Sequence, residues 1–375
     1  MSGPVGHRFN WRGDLFQSPN RLCGTSVSDQ LWYNFRAMPT RRPNFFYHFH
    51  PPTLPQREAS FRYTFGLGGI SVLLFLVLVV TGILLTFVYV PTPDGAFASI
   101  EIITYQVPLG WLVRNLHYWA AQGMVMVVAL HVLRVIFTGA YKKPRRANYL
   151  IGLALLAGTL LLDFTGYVLR WDDGTRWALV VGTNLVKETP LIGDALYRTI
   201  VGGSDVGAST TIRFYAWHLF GLAVPAFILI GWHAFKVRRD GGISYRVREP
   251  RIDRARLVKT ETTALLIVMA GLILLSIVLP APLGPTTDLP ARPDVAQAPW
   301  FFLWVQALLR SIPPVWAGVL IPLGLLTLLM AIPYLIDRKA EGVAVWFNTQ
   351  GRAAQAVTIL MFAGLIILTL VELSV

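Results

Sequence analysis

Two long apolar stretches of this 375-residue chain each carry two histidines, and these four side chains are the strongest candidates for chemistry. His117 and His131 are 14 residues apart, and His218 and His233 are 15 apart. In a helix that turns about 100° and rises about 1.5 Å per residue, a 14-residue step returns to within roughly 40° of the same face. A 15-residue step overshoots by roughly 60°, and both steps rise about 21–22 Å. Each helix can therefore present two imidazoles inward, one near each face of a membrane.

Imidazoles inside a membrane are candidate functional groups, because a polar ring in hydrocarbon needs a partner. Two facing imidazoles on the axis of a helix bundle form a bis-histidine haem site. The spacing predicts that His117 pairs with His218 on one haem iron, and that His131 pairs with His233 on a second. Any one of these histidines alone would more often be a packing residue, but the joint pattern favours haem.

Four glycines form two pairs with the same 14-residue spacing. Gly68 and Gly82 are 14 apart in the first apolar stretch, and Gly152 and Gly166 are 14 apart in the third. Glycine lets a flat macrocycle approach the backbone closely, whereas a single glycine often serves only helix packing. Histidines and glycines together predict two non-covalent b haems held within four helices.

The composition is that of an integral membrane protein, since 54% of the residues are hydrophobic and only 14% are charged. A helix needs about 20 residues to cross a bilayer. Seven stretches of this kind are predicted as spans, near residues 65–90, 116–138, 149–169, 212–236, 260–280, 315–335 and 353–372. The apolar segment 299–310 is shorter and is predicted to be re-entrant or interfacial.

The predicted fold is all-α, with a four-helix dihaem bundle followed by three further transmembrane helices. Residues 1–60 are predicted to be a cytoplasmic or interfacial segment, because aromatic and cationic residues alternate there. Residues 61–250 form the predicted haem-binding domain, and residues 251–375 form the predicted three-helix domain.

The loops predict the orientation. Basic residues cluster after the second, fourth and sixth spans, so these loops and the N-terminus are predicted to be cytoplasmic and the C-terminus to lie outside. His117 and His218 are then near the outer face, and His131 and His233 near the inner face. The net charge of +13 is attributed to this membrane anchoring and not to nucleic-acid binding.

Three arginines lie beside the histidines in sequence. Arg114 is three residues before His117, Arg134 is three after His131, and Arg238 follows the last histidine by five. Such positions suit haem propionates, which need cationic partners near the interface. The alternative is that they are helix-end arginines that extend to the headgroups.

Four segments carry a resemblance to a known family. Residues 65–89, 110–145, 163–172 (DFTGYVLRWD) and 211–244 resemble the haem-binding helices of cytochrome b of Rieske/cytochrome bc complexes. The resemblance is strong over about residues 60–250 and weaker over 260–375. The fourteen residues between the last two histidines, and the three spans after the bundle, resemble the cyanobacterial and chloroplast branch, whose small subunit is a separate chain. Here the two pieces are fused.

The sequence departs from the plant-type pattern at two positions. In that branch a cysteine at the start of the first helix holds an additional haem, and Gly66 stands there in this chain. The only cysteine, Cys23, lies far upstream and belongs to no CxxCH motif, so no covalent third haem is expected. Tyr118 stands where that branch has an arginine.

The loop before the sixth predicted span differs most from the family pattern. The family usually has Pro-Glu-Trp-Tyr there, whose glutamate is proposed to accept a quinol proton, whereas this chain has Pro299, Trp300 and Phe301 after Ala298. Such loops resemble bacterial members that oxidise menaquinol. Two other carboxylates of the same loop are candidate proton acceptors, with solvated loop charge as the alternative: Asp288 and Asp294.

The resemblance implies a quinol:cytochrome c oxidoreductase of a bacterial inner membrane. Quinol is oxidised at the outer face. One electron passes to a Rieske iron–sulfur protein and then to a cytochrome c-type acceptor, and the other crosses the two haems to a quinone at the inner face, near Arg238, Arg239 and Asp240. Proton translocation accompanies this transfer, and a homodimer among membrane lipids is expected.

Two alternatives compete with this interpretation. A dihaem membrane anchor of a dehydrogenase or hydrogenase would need neither the 281–310 loop nor three further spans. A transporter with histidine relays would need carboxylates along its path, and the predicted spans hold almost none, with Asp163 and Glu372 near span ends.

Overall fold

The computed structural model describes residues 53–56, 60–242, 250–286 and 297–374, all within one compact unit, Tyr47–Val375. The predicted interfacial segment therefore lies almost wholly outside the described residues. Cys23, Asp288 and Asp294 lie outside them as well. The division into three domains stays a prediction.

The described chain is almost entirely helical. In chain order the helices are α1 Phe61–Thr64, α2 Leu67–Thr86, α3 Pro93–Tyr105, α4 Gly110–Phe137, α5 Arg146–Val168, α6 Asp173–Lys187, α7 Gly193–Val201, α8 Ala208–Arg239, α9 Arg254–Val278, α10 Trp300–Leu309, α11 Val315–Ile336 and α12 Thr349–Leu373. Two short strands, β1 Thr53–Pro55 and β2 Arg251–Asp253, pair antiparallel.

Seven of the described helices are long and apolar enough to cross a membrane, namely α2, α4, α5, α8, α9, α11 and α12. The predicted seven-span all-α fold is confirmed. Helix α10 is apolar but too short to span, as predicted for segment 299–310. Helices suit this environment because every backbone donor inside the bilayer finds its acceptor within the same segment.

Helices α2, α4, α5 and α8 form the bundle. Helix α2 packs along α4, α4 packs on α5, and α5 packs on α8. The three later spans pack against this bundle, and one buried cluster joins Val132 and Leu153 of the bundle to Leu329 of α11 and Ala354 of α12. The end of the bundle with His117 and His218 is termed the outer end, after the predicted orientation, and the end with His131 and His233 the inner end. The orientation itself stays a prediction.

Helix α8 contains a widened segment that changes how its histidines are spaced. Residues Trp217–Ala223 form a π-helix, and regular α-helix resumes at Val224 with Pro225 in its first turn. A π turn takes up about one residue more than an α turn. The 15-residue step from His218 to His233 therefore overshoots less than a regular helix would predict, and both rings border the interior of the bundle.

A buried ion pair joins two loops at the inner end. Lys142 Nζ lies 2.9 Å from Asp337 Oδ2, and the two side chains are 0% and 2% exposed. Tyr141 donates to the same carboxylate oxygen at 2.6 Å, and Lys142 also donates to the carbonyl of Glu341 at 2.6 Å. Burial, together with the hydrogen bond to Asp337, raises the pKa of Tyr141 above its ordinary value, so its phenol stays a donor.

Removing the acid from this pair is expected to destabilise the fold strongly. Asp337→Ala leaves the ammonium group of Lys142 buried without its counter-ion, which costs about 3–5 kcal/mol of unfolding free energy. The measurement is the unfolding midpoint in detergent. Asp205→Asn, which changes an exposed carboxylate bonded only to Ser204, is the control. Equal midpoints for the two variants would contradict the expectation.

Candidate cofactor site in the helix bundle

The candidate residues of the bundle border one internal cavity of about 910 Å³. The structure brings together on its wall the four histidines, the four glycines and the three arginines singled out by the sequence: His117, His131, His218, His233, Gly68, Gly82, Gly152, Gly166, Arg114, Arg134 and Arg238. Each histidine ring is only half-buried although it lies within the bundle, because it borders this open space.

The two outer histidines face each other across the cavity. The ring centroids of His117 and His218 are 6.4 Å apart, and the ring planes are inclined by 63°. A metal–imidazole bond is about 2.0–2.1 Å and the ring centroid lies about 1.2 Å behind the nitrogen, so two imidazoles that hold one metal ion between them have centroids about 6.4–6.6 Å apart. The separation therefore fits one iron between the two rings.

Two threonines fix which ring nitrogen faces the cavity. Thr81 Oγ1 donates to the Val77 carbonyl at 2.6 Å and lies 2.9 Å from His117 Nδ1. Because a hydroxyl has only one hydrogen, Nδ1–H of His117 is the donor to Thr81. Thr165 Oγ1 likewise donates to the Leu161 carbonyl at 2.8 Å and lies 3.0 Å from His218 Nδ1. In each ring the unprotonated nitrogen is then Nε2, the form that binds a metal.

These threonines were missed by the sequence argument, although a signal was present. Each stands directly before a glycine of the 14-residue pattern, as Thr81–Gly82 and Thr165–Gly166. The corresponding inner positions are Leu67–Gly68 and Ile151–Gly152, which offer no hydroxyl. Consistent with this difference, His233 Nδ1 is buried and makes no hydrogen bond of normal geometry, although the carbonyl of Asn148 faces it.

The four glycines lie against the imidazoles. A Cβ built on Gly82 would be 3.3 Å from Cε1 of His117, and one on Gly166 would be 2.9 Å from Cε1 of His218. At the inner end, Cβ atoms on Gly152 and Gly68 would lie 3.3 and 3.7 Å from Cε1 of His233 and His131. Each histidine is thus seated against a glycine of the neighbouring helix. The sequence argument assigned the glycines to the macrocycle, and their closest protein contact is the ligand candidate itself.

The three arginines border the cavity in different ways. Arg114 is buried and donates to the carbonyls of Ala281 at 3.1 Å and Pro282 at 2.5 Å. Arg134 donates to the Tyr63 carbonyl at 3.2 Å and lies over that ring, 4.4 Å from its centroid. Arg238 lies at the inner end, within electrostatic range of Glu261. Their role as propionate partners stays a prediction.

The loop predicted as the outer quinol site is held by polar contacts. Trp300 donates its indole N–H to Gln122 Oε1 at 2.7 Å, and Phe301 is buried behind it. Pro299 precedes α10 in an extended conformation. The loop therefore lies against α4 at the border of the cavity, because Gln122 lines that cavity.

Glu372 of α12 anchors this loop and was not singled out for that role by sequence. The backbone N–H of Ala298 donates to Gln306 Oε1 at 2.6 Å, and Gln306 Nε2 donates to Glu372 Oε1 at 2.9 Å. Arg310 pairs with the same carboxylate at 2.7 Å. The buried carboxylate is satisfied by charge and hydrogen bonds, which fixes the start of α10 relative to α12.

A second acidic residue, Asp172, connects helix α6 to the loop that follows α9. Asp172 accepts from the backbone of Thr175 at 2.9 Å, which caps α6, and from that of Gly284 at 3.0 Å. Burial opposes ionisation of Asp172, but the hydrogen bond from Arg170 and the two backbone donors outweigh it and hold its pKa below the ordinary value. Asp172 therefore stays ionised and connects α6 to the loop after α9.

Fold and site together define a multi-pass membrane protein whose four-helix bundle carries paired imidazoles at both ends. The family description Cytochrome b/b6/petB matches residues 55–241, and Cytochrome b(C-terminal)/b6/petD matches residues 287–373. Cytochrome b6 of Heliomicrobium gestii is 41% identical over 177 residues, which cover 47% of this chain and 83% of that protein. Cytochrome b6 of Emiliania huxleyi is 41% identical over 175 residues, 47% of this chain and 81% of that protein.

A solved structure shares the fold. The structure described as "Hyperthermophilic respiratory Complex III" superposes with a TM-score of 0.70 at 23% identity, and it covers 82% of this chain and 83% of that one. The chain belongs to the cytochrome b/b6 family. It is a b6-type cytochrome b subunit of a bc-type quinol oxidoreductase, and the family implies haem b as its cofactor.

Alanine substitutions of the four glycines are expected to weaken haem binding, and the effect is expected to be larger where the new Cβ would lie closer to the histidine ring. Gly166→Ala forces the His218 ring to move and lowers affinity for the outer haem by about 10–100-fold, in the range seen when the support of a ligand is disturbed. Gly82→Ala and Gly152→Ala have smaller effects, and Gly68→Ala the smallest, since their Cβ distances are longer. The measurement is haem content after purification.

Gly158→Ala is the matched control for this series. It lies on the same helix as Gly166, and a Cβ there meets nothing within 4 Å. Equal haem loss in the Gly158 and Gly166 variants would contradict the assignment of Gly166 to the seat of His218.

Proposed function

We propose that this chain is the dihaem, quinol-oxidising subunit of a Q-cycle complex, with menaquinol as its quinol. The observation that carries the proposal is the facing pair His117 and His218, whose 6.4 Å separation suits one iron and whose tautomers are set by threonine hydroxyls. His131 and His233 form the second pair. Each pair would hold one haem iron with two protein ligands, and a haem held in this way would supply electron transfer and not oxygen binding.

The chain's own residues hold and orient the cofactors. His117 and His218 would hold one haem iron through Nε2, and His131 and His233 would hold the second. The four glycines give each ring room to approach the neighbouring helix. Arg114 and Arg134 supply positive charge at the outer and inner ends, where they suit haem carboxylates. When bound, the two haems supply one-electron redox chemistry and a path across the bundle.

The outer quinol site lies between α10 and α6. Pro299, Trp300 and Phe301 form one wall, which is supported by the hydrogen bonds through Gln306 to Glu372. Their aromatic and apolar side chains suit a flat naphthoquinol ring. The inner quinone site lies near Arg238, which borders the cavity at its inner end.

The proposed partner proteins are those that receive one of the two electrons released by the quinol. A Rieske iron–sulfur protein takes one electron at the outer face and passes it to a cytochrome c-type acceptor, while the other electron crosses the bundle. The complex is a homodimer in the lipid of a bacterial inner membrane, with the N-terminus cytoplasmic and the C-terminus outside. No covalent third haem is expected, because the matching position is Gly66, whose φ of +64° suits glycine.

The test of this function is a haem count on the purified protein. About two non-covalent haems per chain, with two steps in a redox titration, are expected from two bis-histidine sites. His131→Ala removes the inner step alone, and His218→Ala removes the outer step alone. Loss of both steps from either variant, or no haem in the wild type, would contradict the pairing.

The quinone is tested in the same preparation. Reduced menadione, a naphthoquinol, is expected to reduce the haems faster than a reduced benzoquinone of equal concentration. A denaturing gel stained for covalent haem checks the third-haem expectation, and a stained band would overturn it.

A further inference from the structure

Asp163 is an intramembrane carboxylate that the mechanism above does not use. It lies on α5, borders the cavity, and its Oδ2 atom is buried with no hydrogen-bond partner. A carboxylate at such a depth is costly and usually pairs with a cation or a hydrogen-bond donor. Asp163 faces the cavity with one carboxylate oxygen that accepts no hydrogen bond. A bound ligand with a hydrogen-bond donor would satisfy that oxygen.

The turn that carries Asp163 lies against both walls of the outer quinol site. The ring of the next residue, Phe164, is 5.9 Å from that of Phe302 in α10. The same Phe164 ring packs so close to Gly182 of α6 that a Cβ there would be 2.6 Å from it. Asp163 is the residue before Phe164 on α5, and its own side chain borders the cavity.

Quinol oxidation releases two protons. Asp288 and Asp294, the carboxylates that the sequence predicts for this role, lie outside the described residues. Residues 297–304 (QAPWFFLW) contain no ionisable side chain. The described carboxylates nearby are already committed, since Asp172 pairs with Arg170 and Glu372 pairs with Arg310. Asp163 differs from both, because its Oδ2 has no hydrogen-bond partner and no cation pairs with it among the residues that the structure describes.

The groups that face Asp163 leave its carboxylate able to take up a proton. From α4, Tyr118 lies within electrostatic range, and Arg114 and Arg170 act on that same tyrosine. From α10 and α6 the neighbouring turn meets only Phe302 and Gly182, which carry no charge.

We propose that Asp163 is the proton acceptor of the outer quinol site. This proposal rests on the proposed function. The O–H bond of one quinol hydroxyl breaks as a carboxyl O–H forms on Asp163, and one electron would go to the haem that His117 and His218 would hold. The second hydroxyl gives its proton and one electron toward the one-electron iron–sulfur acceptor. Quinol thus becomes quinone with loss of two protons and two electrons, and Asp163 then releases its proton to the outer aqueous phase.

The test compares three variants of the purified complex with menadiol as quinol. Asp163→Asn keeps the size of the side chain but accepts no proton, so turnover is expected to fall about 100-fold, the usual scale for loss of a general base. Asp163→Glu restores the carboxylate and should recover most of the rate. Glu101→Gln, at an exposed position of α3, is the matched control and should change nothing. Wild-type turnover rises with pH as Asp163 ionises, and this dependence is lost in Asp163→Asn.

A second readout is independent of turnover. Redox-difference infrared spectra should show a protonated carboxyl band when quinol is oxidised, which is absent in Asp163→Asn and shifted in Asp163→Glu. Haem content must stay at the wild-type level in all variants. Wild-type rate, pH profile and infrared band in Asp163→Asn would overturn the role of Asp163 and leave the proposed function intact. Absence of quinol oxidation or haem in the wild-type complex would instead overturn the proposed function.

Discussion

The contact between each outer imidazole and its threonine is the interaction on which the site most depends. Inside a bilayer no water satisfies the second ring nitrogen, so the protein must provide an acceptor. Thr81 and Thr165 do so while donating their own hydrogen to the helix carbonyl four residues earlier. That arrangement sets the tautomer, turns Nε2 toward the cavity and holds the ring against glycine.

The same constraint explains why the two ends of the bundle differ. At the outer end a hydroxyl is available beside each glycine, whereas at the inner end Leu67 and Ile151 occupy those positions. His233 Nδ1 is accordingly buried without a hydrogen bond of normal geometry, and its ring lies against Gly152. Since hydrogen bonds to the ligand raise its basicity, the two ends offer an iron different electronic surroundings.

Polar contacts at the inner and outer ends connect the three later spans to the loops of the rest of the protein. At the inner end, Asp337 is bound by Tyr141 and Lys142 from the loop between α4 and α5. At the outer end, Glu372 holds Gln306 and Arg310 and through them the loop of Pro299 and Trp300. These pairs link distant parts of the chain, and full burial makes the Lys142–Asp337 pair the costlier of the two to break.

The sequence by itself determined the membrane fold and most of the candidate site. Apolar length predicted seven spans, because a bilayer of fixed thickness demands it, and the period of a helix placed the histidines and glycines on inward faces. On α8 the histidines are 15 positions apart, one more than the period of the other pairs. The π segment Trp217–Ala223 takes up the difference, and hydropathy carries no sign of it, because a widened turn changes hydrogen bonding and not composition.

Only the tertiary structure decided which groups meet. Thr81 is 36 residues from His117, and Gln306 is 66 residues from Glu372. Periodicity describes one helix at a time, so it cannot say which hydroxyl of a neighbouring helix reaches a ring nitrogen. It placed Asp163 and Glu372 alike near the ends of spans. The packing of α5, α10 and α12 distinguishes them, since it gives Glu372 an arginine and leaves an oxygen of Asp163 unpaired at the cavity.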